Sequence, residues 1–128
     1  MQVTQQEWGI LILRIGLAAL FLWFGFSQLI DGLSWVSWVP EWAVNLLHIP
    51  PAMIVLLNGA FEVVAGSLLA LNIWTRWAAL ALGLHLLILV IEIGLNEIGL
   101  RDFAIMMATF ALVFLDENRA AVSGFNPH

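Results

Sequence analysis

Each long apolar run of this chain is interrupted by ionisable or polar side chains, and these recur at helical spacing. Arg14, Ala18, Phe21, Gly25 and Gln28 follow steps of four and three, so they share one helix face. Asn58, Glu62 and Ser67 cluster with Gly59 and Gly66, while His85, Glu92 and Asn96 align along another run. Asp102, Thr109 and Asp116 recur at sevens, with Arg101 beside the first of them. A charge at the centre of a membrane helix costs about 2.5–3.5 kcal/mol on the insertion scale, so this arrangement carries information. It permits recognition of a small polar head group or a proton relay along Arg14, Glu62 and His85. A plainer role is fastening helices, although interhelical polar contacts contribute only about 0.6 kcal/mol each. For His85 a hydrogen-bonded structural role is preferred over metal ligation, and no metal site is expected. No second His lies in an apolar run, which excludes paired-histidine haem ligation within one chain.

Other chemistry is excluded by what is missing. There is no Cys, hence no thiol chemistry, covalent c-type haem or conventional iron–sulfur cluster. All four basic residues are Arg, so no side-chain amine can form a Schiff base. The formal charge is −5 with no basic run, and nucleic acid is not an expected partner.

The elements that must hold these residues follow from hydropathy. Hydrophobic residues make up 62% of the 128 positions and charged residues 10%, with a mean hydropathy of +0.99. Soluble domains carry roughly 25% charged residues, so lipid must cover much of this surface. Residues 8–30, 52–74 and 77–95 each suffice for the roughly 20-residue helix that crosses hydrocarbon. Residues 98–116 form a shorter fourth candidate, supported by the face Asp102, Ile105, Thr109, Leu112 and Asp116. Residues 33–48 place Trp35, Val39, Trp42 and Leu46 at amphipathic spacing, which predicts an interfacial helix between spans one and two. The alternative for that segment is a lid over an opening between the spans. The expected fold is thus a single all-α membrane domain over 1–128, a four-transmembrane-helix bundle in contact with the lipid bilayer.

The residues MQVTQQE lack the positive region of a signal peptide, so the first span is read as retained. Parity puts Trp8, Trp74 and Trp77 at one membrane surface and Trp35, Trp38 and Trp42 at the other. Arg14, Arg76 and Arg119 share the first surface, which predicts that both termini are cytoplasmic. Depth estimated at 1.5 Å per residue predicts two polar layers. Arg14, Glu62 and His85 form the first, with Arg14 within reach of Glu62. Gln28, Asn58, Glu92, Asn96, Arg101 and Asp102 form the second.

The segments LRIGLAALFLWFGFSQL and NGAFEVVAGSLLALNIWTRWAAL resemble the DoxX family of small four-span membrane proteins. The resemblance runs from about Arg14 to Leu115 and matches recurring polar positions to Arg14, Gly25, Glu62, Gly66 and Arg76. Gln28 stands where the family commonly has Lys, and the DENRAAVSGF end lacks its usual Gly-rich turn. The resemblance implies a four-helix bundle and, in the namesake members, a small subunit of quinone-linked thiosulfate oxidation. The first functional expectation is therefore a redox-associated membrane subunit that binds a quinone. Without an electron carrier of its own, it would serve as an oxidoreductase subunit beside a redox partner protein. A non-enzymatic scaffold or assembly factor is the second. Small-solute permeation is the third and would require a homo-oligomer.

Overall fold

A computed structural model describes residues 5–125, and side chains as far as residue 115. The helices are α1 (Gln5–Ile30), α2 (Glu41–Leu47), α3 (Pro51–Leu71), α4 (Thr75–Ile93) and α5 (Glu97–Phe125), with a short 3-10 helix, Gly32–Trp38, between α1 and α2. Among the described residues, α1, α3, α4 and the 97–115 part of α5 are long and apolar enough to cross a membrane. This is an all-α membrane bundle, and the fourth segment is as continuous as the others. Asn96 explains its start: its Oδ1 accepts the Gly99 backbone N–H at 2.9 Å, which satisfies a free donor of the first turn. Gly94, with φ 81° and ψ −161°, makes the preceding reversal in a region closed to other residues.

The turn between α3 and α4 lies at Asn72–Trp74, inside the second expected span. Its Ile and Trp are apolar, so hydropathy cannot register the break. Asn72 takes the left-handed conformation at φ 57°, and the Ile73 N–H reaches back to the Leu68 carbonyl at 3.0 Å. This arrangement closes a helix C-terminus.

The expected single helix over 33–48 is replaced by two short pieces. Val39 is extended (φ −78°, ψ 122°), as the residue before a proline tends to be, and Pro40 has no N–H with which to continue the helix. The stripe Trp35, Val39, Trp42, Leu46 therefore does not share a face, and Leu46 is exposed.

Two helix pairs, α1 with α3 and α4 with α5, make the most extensive contacts, and the pairs meet less extensively. The α1 face seen in the sequence, Arg14 through Gln28, is buried throughout. Gly25 and Gly59 set the α1–α3 distance: a Cβ on Gly25 would lie 2.9 Å from the Gly59 carbonyl oxygen and 2.7 Å from Val63 Cγ2. Such backbone proximity supplies the dispersion contacts that hold helices together where no water is being expelled.

The bundle differs from end to end. In the half nearer the N-terminus, Leu69, Leu82, Thr109 and Leu112 are fully buried in a continuous core. Toward the 3-10 helix and α2, the two pairs enclose a cavity instead. Trp8, Trp74 and Trp77 are exposed at the solid end, and Trp38 and Trp42 at the other.

Candidate functional site

Four helices each give one stripe to the cavity, at spacings of three and four residues. From α1 come Leu20, Phe24 and Gln28; from α3, Ile54, Asn58 and Glu62. From α4 come Leu86, Leu89 and Glu92; from α5, Ile98, Asp102 and Ile105. Trp35, Trp38, Val39 and Pro40 form the roof. The partly open cavity has a volume of about 350 Å³, within the range of small-molecule sites.

The floor is polar and internally bonded. Asn58 Nδ2 donates to Gln28 Oε1 at 2.6 Å and to Glu62 Oε1 at 3.2 Å, while Gln28 Nε2 donates to Glu62 Oε2 at 3.4 Å. Both carboxylate oxygens thus accept an amide N–H. Glu62 and Gln28 are each 5% exposed, too deep for bulk water to satisfy them. His85 Nε2 stands 3.6 Å from Glu62 Oε1, beyond hydrogen-bond length, and is buried without a hydrogen-bond partner. The His85 ring meets Phe61 edge-on at 5.3 Å and does not line the cavity.

The roof is attached on two sides. Trp35 Nε1 donates to Ser27 Oγ at 3.1 Å and its ring meets Phe24 edge-on, which holds the 3-10 helix to α1. Trp42 Nε1 donates to Glu92 Oε2 at 2.7 Å, linking α2 to α4. The segment between spans one and two thus contributes Trp35, Trp38, Val39 and Pro40 to the cavity lining. Glu92 is itself exposed, so on the inner seam of α4 it serves only at the cavity rim. Arg101 also stands at the rim, with 56% of its side chain exposed, and its Nη2 reaches Asp102 Oδ1 at 3.3 Å. Asn96 belongs to the α5 cap rather than to the polar layer. The Asp116 and Arg119 side chains lie outside the described residues.

Arg14 is not part of this site. Its Nη1 donates to the Leu69 and Ala70 carbonyls at 2.6 and 3.0 Å, at the C-terminal end of α3. The expected reach to Glu62 fails because of register. Gly25 lies against Gly59 and Val63, which sets Arg14 level with the end of α3. Glu62 is then seven to eight residues from the carbonyls that Arg14 reaches, roughly 11 Å along the helix. The two expected layers are consequently rearranged, with Glu62 joining Gln28 and Asn58. Arg14 instead satisfies carbonyls that a helix end leaves open, and its charge complements the negative end of that helix. Arg14→Met should lower stability by about 1.5–3 kcal/mol, the range for hydrogen bonds to a charged group. Thermal unfolding in detergent would register that loss, with cavity occupancy unchanged.

Phe24, Leu89 and Ile98 are not candidates in the sequence, and Ile105 enters there only as a member of the Asp102–Asp116 face. Their signal was present: each stands three or four residues from Gln28, Glu92, Arg101 or Asp102 on the same stripe.

Fold and site together define a small integral membrane protein with a polar-floored internal cavity. The chain belongs to the DoxX family, whose model matches residues 9–94, from the first turns of α1 to the end of α4. Comparisons with curated proteins and with solved structures find no match.

Proposed function

We propose that the chain is a ligand-binding subunit of a redox-associated membrane complex, whose cavity holds the ring head of a quinone-type lipid. The observation that carries this reading is the composition of the cavity. Aromatic and aliphatic walls lie between a bonded polar floor, Gln28–Asn58–Glu62, and a charged rim of Glu92, Arg101 and Asp102, as in sites that orient a largely apolar molecule by its head. The family supports the redox association, since its namesake members serve quinone-linked oxidation. The chain has no Cys, and no group of three or more metal-binding side chains occurs among the described residues. In this reading electrons are exchanged with a partner protein, and the role of this chain is to hold and orient the ring. Both termini face the cytoplasm, in accord with the Arg14 and Arg76 end of the bundle.

Protein purified gently from native membranes should retain a ring-headed lipid, detectable by mass spectrometry of its organic extract. Glu62→Gln should lower that occupancy several-fold. Equal occupancy in the variant would remove Glu62 from the site, and a wild-type extract free of such lipid would remove the function.

A further inference from the structure

The donors and acceptors of the cavity floor are unevenly matched. Both Asn58 side-chain N–H groups are committed, one to Gln28 and one to Glu62, and Gln28 has already given one N–H to Glu62. A carboxylate has about four lone-pair positions, and the direct amide bonds to Glu62 occupy two. The remaining acceptor capacity at the floor therefore exceeds the donor capacity. Charge points the same way: Glu62, Glu92 and Asp102 line the cavity against one cation, Arg101, which is turned onto Asp102 at the rim. A head that only accepts hydrogen bonds would find its best donors spent, and an anionic head would meet like charge.

We infer that the cavity selects an uncharged aromatic head bearing a hydroxyl group, whose O–H donates to Glu62 while its ring lies between Phe24, Trp35 and Leu89. This rests on the reading of the cavity as a ring-binding site, and adds which form of the ring it holds. In quinone terms, the reduced dihydroxy form is retained and the carbonyl form is released. A neutral donor brings no further charge into hydrocarbon, where an added cation costs about 2.5–3.5 kcal/mol before any pairing. The Phe24–Trp35 contact, with centroids 5.7 Å apart, supplies flat apolar surface suited to a ring.

The test needs no redox chemistry. Wild-type protein in lipid nanodiscs is titrated with para-hexylphenol, with its methyl ether, and with the matching para-hexylbenzylammonium ion. Protein-free nanodiscs correct for partition into lipid. The phenol should bind at least about tenfold more tightly than the ether, the equivalent of one hydrogen bond to a charged acceptor. In Glu62→Gln, where an amide replaces one acceptor oxygen, that preference should fall to within about twofold. Equal binding of phenol and ether to wild type would overturn the donor requirement and leave the ring-binding reading standing. Tighter binding of the ammonium ion than of the phenol would also overturn the inference. If no aromatic head binds above partition, the inference and the ring-binding reading fall together.

Discussion

Gly25→Val is expected to unfold the bundle or leave it with a stability loss of about 3 kcal/mol or more, the upper part of the overpacking range. A Cβ at this position would lie 2.9 Å from both the Gly59 carbonyl oxygen and the Val63 backbone nitrogen. Backbone atoms within a helix cannot step aside singly, so α1 and α3 would have to separate along their contact. Gly59 would not relieve this, because its own Cβ position is 2.9 Å from the Gly25 carbonyl oxygen. The effect would reach the cavity too, since Gln28 is one turn beyond Gly25 and Asn58 adjoins Gly59. The exposed Gly16 provides the control: apart from its chain neighbours and its own helix backbone, no atom of the described residues lies within 4 Å of a Cβ placed there. Thermal unfolding in a mild detergent should show a large loss for Gly25→Val and little change for Gly16→Ala. Comparable behaviour of the two would mean that the helices do not meet through Gly25.

The second large effect is expected at Glu62, where two substitutions separate network from volume. Glu62→Leu removes the acceptor shared by Gln28 and Asn58 and leaves donors stranded beside an apolar side chain. An unsatisfied buried polar group costs about 1–3 kcal/mol, so the two amides together should lower stability by about 2–4 kcal/mol. Removing a buried charge works in the opposite direction, but the polar partners remain, and Gln28 at 5% exposure cannot be hydrated while Asn58 is only partly accessible. Glu62→Gln preserves shape and one oxygen, and should cost less than about 1 kcal/mol. Chemical or thermal unfolding of both variants provides the comparison. Equal stability in Glu62→Leu and wild type would mean that the floor network contributes nothing to the fold.

Residues within one helix were readable from spacing; relations between helices were not. The Arg14–Ala18–Phe21–Gly25–Gln28 face is buried as a unit because helical period depends only on the chain itself. The relation of Arg14 to Glu62 depends on the axial register of α1 against α3, which the Gly25–Gly59 contact determines. Counting residues from an assumed membrane surface could not detect that offset. The roof was half legible, since Trp35 and Val39 do turn inward. The break before Pro40 moved Trp42 to another role, donating to Glu92. The cavity walls were legible only helix by helix: Ile105 lies on the Asp102–Thr109 face and Leu89 one turn from Glu92, but that they line one space shows only when four stripes are brought together.

The central claim is that the space enclosed by Phe24, Leu89, Ile105 and the Trp35–Trp38 roof is where the ring-headed lipid resides. Photolabelling tests it most directly, using a dihydroxy-ring (quinol) analogue with a diazirine on its ring, kept reduced in native membranes, followed by peptide mapping. The account predicts that crosslinks concentrate on these wall residues and are displaced by excess unlabelled quinol. Crosslinks confined to outward residues such as Trp23 and Ile91, unaffected by competition, would contradict it.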